Sequence, residues 1–277
     1  YYLAGGEPPG IWLGAGAERL GLGPQVDNQV FHRLFEGFYP TGEALVQNAG
    51  APGRQPGWDL TFSPPKSVSV LWSQLEGEFG LEIRASHAEA VEAAMHYLQE
   101  VAVFTRRGKG GRVQEKAALL AAAFEHGTSR AQDPQLHTHV LLLNIGVREA
   151  GTTGSLASNK FYDHKMAAGS VYRAELAHQL QRRLGLEIKQ VRSWFEIEGV
   201  PASLIKEFSK RRAQIEARLK DLELASAKAS EIAALDTRSA KPDTARSELF
   251  PKWHAVGVEF GFGPDAAQAL IQDPVRL

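Results

Sequence analysis

Two strand-like runs, LLAAAFEH (residues 119–126) and LHTHVLLLN (136–144), flank a polar loop containing Asp133-Pro134. Side chains alternate along a strand, so His137 and His139 share one face while Thr138, Val140 and Leu142 point to the other, into a core. His126 stands at the end of the first run. If the runs pair as a hairpin, His126 lies beside the His-x-His pair and three imidazoles converge. Three histidines that leave a position open for water or substrate form a recurring catalytic metal arrangement. Ligand softness favours Mn, Ni, Cu or Zn over Mg, although Mg can serve where substrate phosphates complete its shell.

The rest of the chain bounds what such a site can belong to. Its 277 residues, 43% hydrophobic and 9% aromatic, supply enough apolar side chains for a real core. There is no run approaching the roughly 18–20 apolar residues that a membrane span needs. The absence of cysteine excludes disulfides and thiolate zinc sites, and fits a reducing cytosol. A net charge of −1 does not mark a nucleic-acid binder, but phosphate is bound by local basic surface, which an average hides. The chain opens on YYLAGGEPPG with no initiator Met, so an upstream start is expected.

Period and punctuation sketch an α+β domain rather than regular βαβ alternation. Residues 1–56 are rich in Gly and Pro, with one helix expected at 27–38. WDLTFSPPKSVSVLW (58–72) reads as two strands broken by a Pro-Pro turn: Asp59, Thr61 and Ser63 oppose Trp58, Leu60 and Phe62, then Val68, Val70 and Trp72 oppose Ser67, Ser69 and Leu71. A helix is expected over 84–104, a basic glycine-rich loop at 106–112, and a long helix over 165–184 ended by Gly185 in a left-handed cap. Another helix should start near Pro201, carrying Leu204, Ile205, Phe208, Ile215 and Leu219 on one face. Residues 225–248, rich in Ala, Ser, Lys and Asp, read as a linker to a small piece around 253–270.

Asp59 is an acid on an otherwise apolar strand. Its possible roles are to accept the free ring N–H of a metal-bound histidine, which fixes tautomer and orientation, to act as a general base, or simply to face solvent. Beside a metal, Tyr1 and Tyr2 suggest covalent phosphoryl transfer, because a deprotonated tyrosine can attack a phosphodiester whose oxygens the metal polarises.

FEHGTSRAQDPQLHTHVLLLN resembles the histidine segment of conjugative relaxases of the TrwC/TraI-like (MobF) family, which are HUH-type nickases. GWDLTFSPPKSVSVLW resembles their aspartate-bearing segment, YRAELAHQLQRRLGL their long helix, EFSKRRAQI a later helix, and WLGAGAERLGL the stretch after their tyrosines. The likeness is collinear over most of residues 1–215. It implies a central antiparallel sheet flanked by helices that close over DNA, with a helical C-terminal extension. It further implies a division into a relaxase core at 1–224, lacking its first strand, and a linker and helical extension at 225–277. The implied reaction is site-specific nicking of single-stranded DNA at a plasmid transfer origin through a covalent 5′-phosphotyrosine, with later rejoining by a 3′-hydroxyl. On this resemblance His126, His137 and His139 hold the divalent metal and Asp59 supports a metal histidine. Tyr1 and Tyr2 fit the second of the family's two tyrosine clusters, the first lying upstream. The partners implied are single-stranded or hairpin origin DNA, a downstream helicase domain and the conjugation machinery, in a bacterial cytoplasm.

Phosphate contacts are expected from Lys66, the basic loop 106–112, Arg130, Lys160, Lys206, Lys210, Arg211 and Arg212, with Arg130 favoured because its loop joins the two histidine strands. Lys206 and Lys210 would share a helix face. Competing readings are a rolling-circle replication initiator, a non-catalytic DNA-binding fragment, and a plain three-histidine hydrolase.

Overall fold

In the computed structural model, which describes residues 7–222, 226, 229, 232–234, 237 and 244–272, the two histidine strands are the central pair of a sheet. They are β5 (Ala121–Thr128) and β6 (Pro134–Leu143). β1 (Ile11–Leu13) and β2 (Gly57–Phe62) flank them in the antiparallel order β1-β5-β6-β2. The ladder pairs His126 with His137, Phe124 and Thr61 with His139, and Asp59 with Leu141. A bulge follows His126, between it and Thr128.

Strict alternation gives each face of this sheet its own core. Leu136, Val140 and Leu142 join Ala121 and Ala123 against helices α3 (Lys66–Gln74), α4 (Gly77–Val101) and α5 (Asn159–Leu184). Leu141, Leu143, Ala122 and Phe124 meet an N-terminal layer built on α1 (Ala15–Arg19) and α2 (Asn28–Glu36). α2 starts where expected, because Asp27 Oδ1 accepts the N–H groups of Gln29 and Val30 at 2.8 and 2.9 Å. Its Phe31 meets Phe124 edge-on, with ring centroids 5.8 Å apart. This layer covers one half of its face, while His137 and His139, on the other half, stay partly accessible.

One expected strand is a helix. Residues 66–74, read as a second strand after the Pro-Pro turn, form α3 with Pro65 at its N-cap. Ser67 through Gln74 are all buried, so no one-sided helical stripe is visible in the sequence. The serines that mimicked the polar face of a strand are buried hydrogen-bonding groups: Ser69 Oγ accepts from the Leu136 N–H at 3.1 Å, and Ser67 Oγ from the Ile197 N–H at 2.9 Å. Other boundaries moved outward. α4 and α5 begin seven and six residues before the expected 84 and 165, and α5 ends at Gly185 with φ 59°, as expected.

Of the expected basic loop 106–112, Arg106 and Arg107 end β3 (Phe104–Arg107) and residues 108–112 make the turn to β4 (Val113–Lys116). The helix expected from Pro201 divides into α6 (Ala202–Glu207) and α7 (Lys210–Asp221), so Lys206 and Lys210 sit on different helices. Most of the expected linker lies outside the described residues. Beyond it, helices Arg246–Glu259 and Pro264–Gln268 fold back, and Trp253 and Phe262 enter the larger core. Among the described residues no helix is long and apolar enough to cross a membrane. Replacing Ser69 with Ala leaves the buried Leu136 N–H without its acceptor. A loss of about 1–3 kcal/mol is expected from chemical denaturation, against near-neutral behaviour for the same change at an exposed serine, Ser203→Ala.

Candidate metal centre and nucleic-acid face

The register that places His126 opposite His137, with His139 two residues on, brings the three rings together. Their centroids are 5.1 to 5.3 Å apart, and one ligand nitrogen from each lies within 4.8 Å of the others. An ion about 2.1 Å from each nitrogen requires them slightly closer, a change within imidazole rotation. The donor set therefore fits a divalent metal. His126 is buried, and His137 and His139 are partly exposed.

Two of the rings are oriented from behind. His139 Nδ1 lies 3.0 Å from both Asp59 oxygens, and Thr61 Oγ1 stands 3.2 Å from the same nitrogen. With Nδ1–H donating to the carboxylate, Nε2 of His139 is left as the ligand atom. His137 Nδ1 donates in the same way to the Gln135 carbonyl at 2.8 Å. On the core side of β6, Thr138 Oγ1 lies 2.8 Å from His87 Nε2, and His87 Nδ1 lies 2.8 Å from Tyr172 Oη. Burial, reinforced by the charges of His137 and Arg84, holds the His87 pKa down at about 3, so this ring stays neutral. Burial also pushes the Tyr172 phenol well above its ordinary value.

Beside His137 opens a cleft of about 490 Å³ lined by Lys66, Arg130, Asp133, Arg211 and Arg212 among others. Its loop is held from several sides. Lys66 Nζ donates to Pro134 O at 2.7 Å and Gln135 Oε1 at 3.2 Å. Asp133 Oδ2 accepts the Lys210 N–H at 2.9 Å, tying the start of α7 to the loop. Gln132 adopts φ 60°, and its carbonyl accepts from Trp253 Nε1 at 2.9 Å. Burial lowers the Lys66 ammonium to about 8, opposed by the Asp133 charge and assisted by that of Lys210. Burial raises the Asp133 carboxyl, against the pull of Lys66 and Lys210.

The expected site residues thus separate. His137, Lys66, Arg130 and Arg211 line one cleft, whereas Asp59 lines a neighbouring one with Thr61 and Tyr172 and reaches the histidines through His139. Arg211 also donates to Thr237 O and Ala234 O, at 2.8 and 2.7 Å. Lys210 pairs with Glu207 at 3.1 Å and lies 3.6 Å from Asp133. Lys206 is exposed on α6, outside the cleft lining. Lys160 lies over the Phe104 ring at 4.8 Å, near the β3–β4 hairpin, and not in the cleft. Tyr1 and Tyr2 lie outside the described residues. Sequence reading missed Thr61 and the His87–Thr138–Tyr172 chain, because each depends on contacts between distant segments; it also missed Gln135, whose backbone carbonyl is two residues from His137 and leaves no mark in residue type.

Asp59→Asn is expected to weaken Mn²⁺ binding about 10–100-fold, read by calorimetry. His137→Ala should all but abolish it, and wild-type affinity in His137→Ala would rule out the triad.

The TrwC relaxase family model matches residues 1–259. The multifunctional conjugation protein TraI of Escherichia coli is 36% identical over 278 residues, which cover 95% of this chain and 15% of TraI. The chain therefore spans about a seventh of the length of that relative. A copper-bound structure of the conjugative relaxase TrwC in complex with oriT DNA superimposes with a TM-score of 0.83 at 32% identity, covering 95% of this chain and 93% of that one. TrwC complexed with a 27-mer DNA comprising the recognition hairpin and the cleavage site gives a TM-score of 0.80 at 32% identity, covering 91% and 92%. Sequence and fold agree over the same span, and the chain belongs to the TrwC relaxase family.

Proposed function

We propose that this chain is the DNA-nicking module of a conjugation protein. It cuts one strand at a transfer origin and holds the 5′ end as a phosphotyrosine on Tyr1 or Tyr2. The observation that carries this reading is the convergence of His126, His137 and His139 on an open sheet face, with Asp59 behind His139, in a member of a relaxase family. A divalent metal, when bound, supplies positive charge at the non-bridging phosphate oxygens. The histidines hold it through their ring nitrogens, and Asp59 keeps the proton of His139 on Nδ1. In the transfer step the tyrosine O–H loses its proton, its oxygen bonds to phosphorus, and the bond to the 3′-oxygen breaks. That oxygen takes up a proton and leaves. Attack by a 3′-hydroxyl reverses the step and rejoins a strand.

Mn or Mg is our reading of the working metal, with Zn, Ni and Cu able to occupy the same three imidazoles. DNA phosphates run past Lys66, Arg130 and Arg211 in the cleft beside His137, and Lys160, Lys206 and Lys210 contact more distant backbone. The core is residues 1–224, and 225–277 is a linker and helical extension. The whole protein continues into a helicase, works with conjugation machinery and resides in the bacterial cytoplasm. A rolling-circle initiator is less favoured, because the family match extends to residue 259.

The test is a denaturing gel of the chain incubated with Mn²⁺ and single-stranded oligonucleotides tiled across the transfer origin of its own replicon. A protein–DNA band that survives denaturation and vanishes in Tyr1→Phe/Tyr2→Phe is expected. Tight binding without a band would leave only DNA binding. Lys66 adds a pH signature. Its ammonium has a pKa of about 8, so charge is present at pH 7 and lost as pH rises through 8. Oligonucleotide affinity should fall between pH 7 and 9. In Lys66→Met it should be weaker but flatter with pH, with the salt slope reduced by about 0.7 for one phosphate contact.

A further inference from the structure

A second polar cluster, separate from the histidines, joins both ends of the described chain to β5. Glu7 Oε2 accepts from Arg246 Nε at 2.6 Å, and Glu7 Oε1 accepts the Gly127 N–H at 3.2 Å. Arg246 Nη1 donates to Glu125 Oε1 at 2.9 Å, and Arg84 Nε donates to the same oxygen at 2.8 Å. The Arg246 and Glu7 side chains are only 15% and 12% exposed, so desolvation makes breaking the pair costly. The guanidinium lies over the Trp72 ring, and a side chain at Gly127 would stand 2.7 Å from Arg246 Nε. The site is built around that arginine.

Its position gives it a use. Ile11 pairs with Ala123, Gly10 packs on the Phe124 ring, and Glu7 reaches Gly127, so residues 7–11 track β5 toward its histidine end. Between these contacts lie Pro8 and Pro9, which lack N–H donors and have fixed φ, and so form a stiff spacer rather than a ladder. Gly127, the residue Glu7 grips, directly follows His126. Tyr2 is five residues from Glu7, a reach of at most about 17 Å.

We propose that Arg246 is a positioning residue for strand transfer: through Glu7 it tethers the tyrosine-bearing segment at the metal end of the sheet. The proposal rests on the reading of the histidines as metal ligands and of Tyr1 or Tyr2 as nucleophile. It gives the C-terminal helix, far from the tyrosines in sequence, a part in the chemistry. Loss of the Arg246 contact weakens the hold on Glu7, and the next contact along the strand is Gly10, three residues further away. Measured from Gly10, the chain-length limit on Tyr2 is about 27 Å rather than about 17 Å.

The test needs only Mn²⁺ and the full chain labelled with 3-fluorotyrosine. Fluorine resonances are assigned by Tyr1→Phe and Tyr2→Phe, and paramagnetic broadening by Mn²⁺ falls steeply with distance. In the wild type, the Tyr1 and Tyr2 resonances should be lost on adding Mn²⁺. In Arg246→Met and in Glu7→Gln they should reappear, with calorimetric Mn²⁺ affinity and the response of Tyr172 unchanged, and Arg246→Lys should restore part of the loss. Glu7→Gln keeps the test decisive if Arg246→Met folds poorly. Resonances that stay broadened in the variants would make the cluster a stability element only and overturn the proposal, as would sharp Tyr1 and Tyr2 signals in a Mn²⁺-loaded wild type. Failure of the wild type to bind Mn²⁺ would instead overturn the metal reading beneath it.

Discussion

The pairing of His126 with His137 across the β5–β6 ladder is the contact on which the functional half of the molecule depends. A slip of one residue would turn His137 and His139 into the core and put Thr138 in their place. What prevents the slip is burial on both sides of the strand. Leu136, Val140 and Leu142 are committed to the helical face, and Leu141 and Leu143 to the N-terminal layer. The three histidines therefore take their geometry from hydrophobic residues packed on either side of the ladder. After the bulge that follows His126 the ladder closes with Thr128 opposite Pro134, and the loop that carries Arg130 begins there.

Polar groups behind this ladder are arranged to avoid uncompensated charge. His87 is fully buried yet neutral, and it bridges α4, α5 and β6 through Tyr172 and Thr138. Lys66 is held between two acceptors beside the Asp133 carboxylate, and keeps enough charge near neutrality to meet a phosphate. Its burial is a cost to folding that a DNA ligand would offset. Other cations in and around the cleft are already engaged, Arg212 of its lining with Glu216 and Lys210 with Glu207, and such exposed pairs are readily exchanged for phosphate.

The loop between the histidine strands is where distant parts of the chain meet. α3 holds it through Lys66, α7 through Asp133, and the C-terminal helix through Trp253. The ends of the described chain add their own tie through Glu7 and Arg246, next to Gly127. The C-terminal helices, although set apart in sequence by a polar stretch, are part of one packed unit, with Trp253 against Trp72 at 5.9 Å.

The sequence by itself determined the histidine strands, the faces of β2 and β6, the cap at Gly185, the start of α2 and the three histidines that converge. Each rests on a local rule: a period of two, a left-handed glycine, an aspartate at an N-cap, an imidazole at alternate positions. It misread residues 66–74, because a helix buried on every side shows no stripe and its serines imitate the outer face of a strand. It also ran Lys206 and Lys210 together across the break at Phe208 and Ser209. Only the tertiary structure decided that Asp59 reaches His139 across β2 and β6, that Lys66 is drawn into the loop beside His137, and that Arg246 meets Glu7. These contacts join segments about 70 to 240 residues apart, and no local pattern encodes a distance that packing of the whole chain sets.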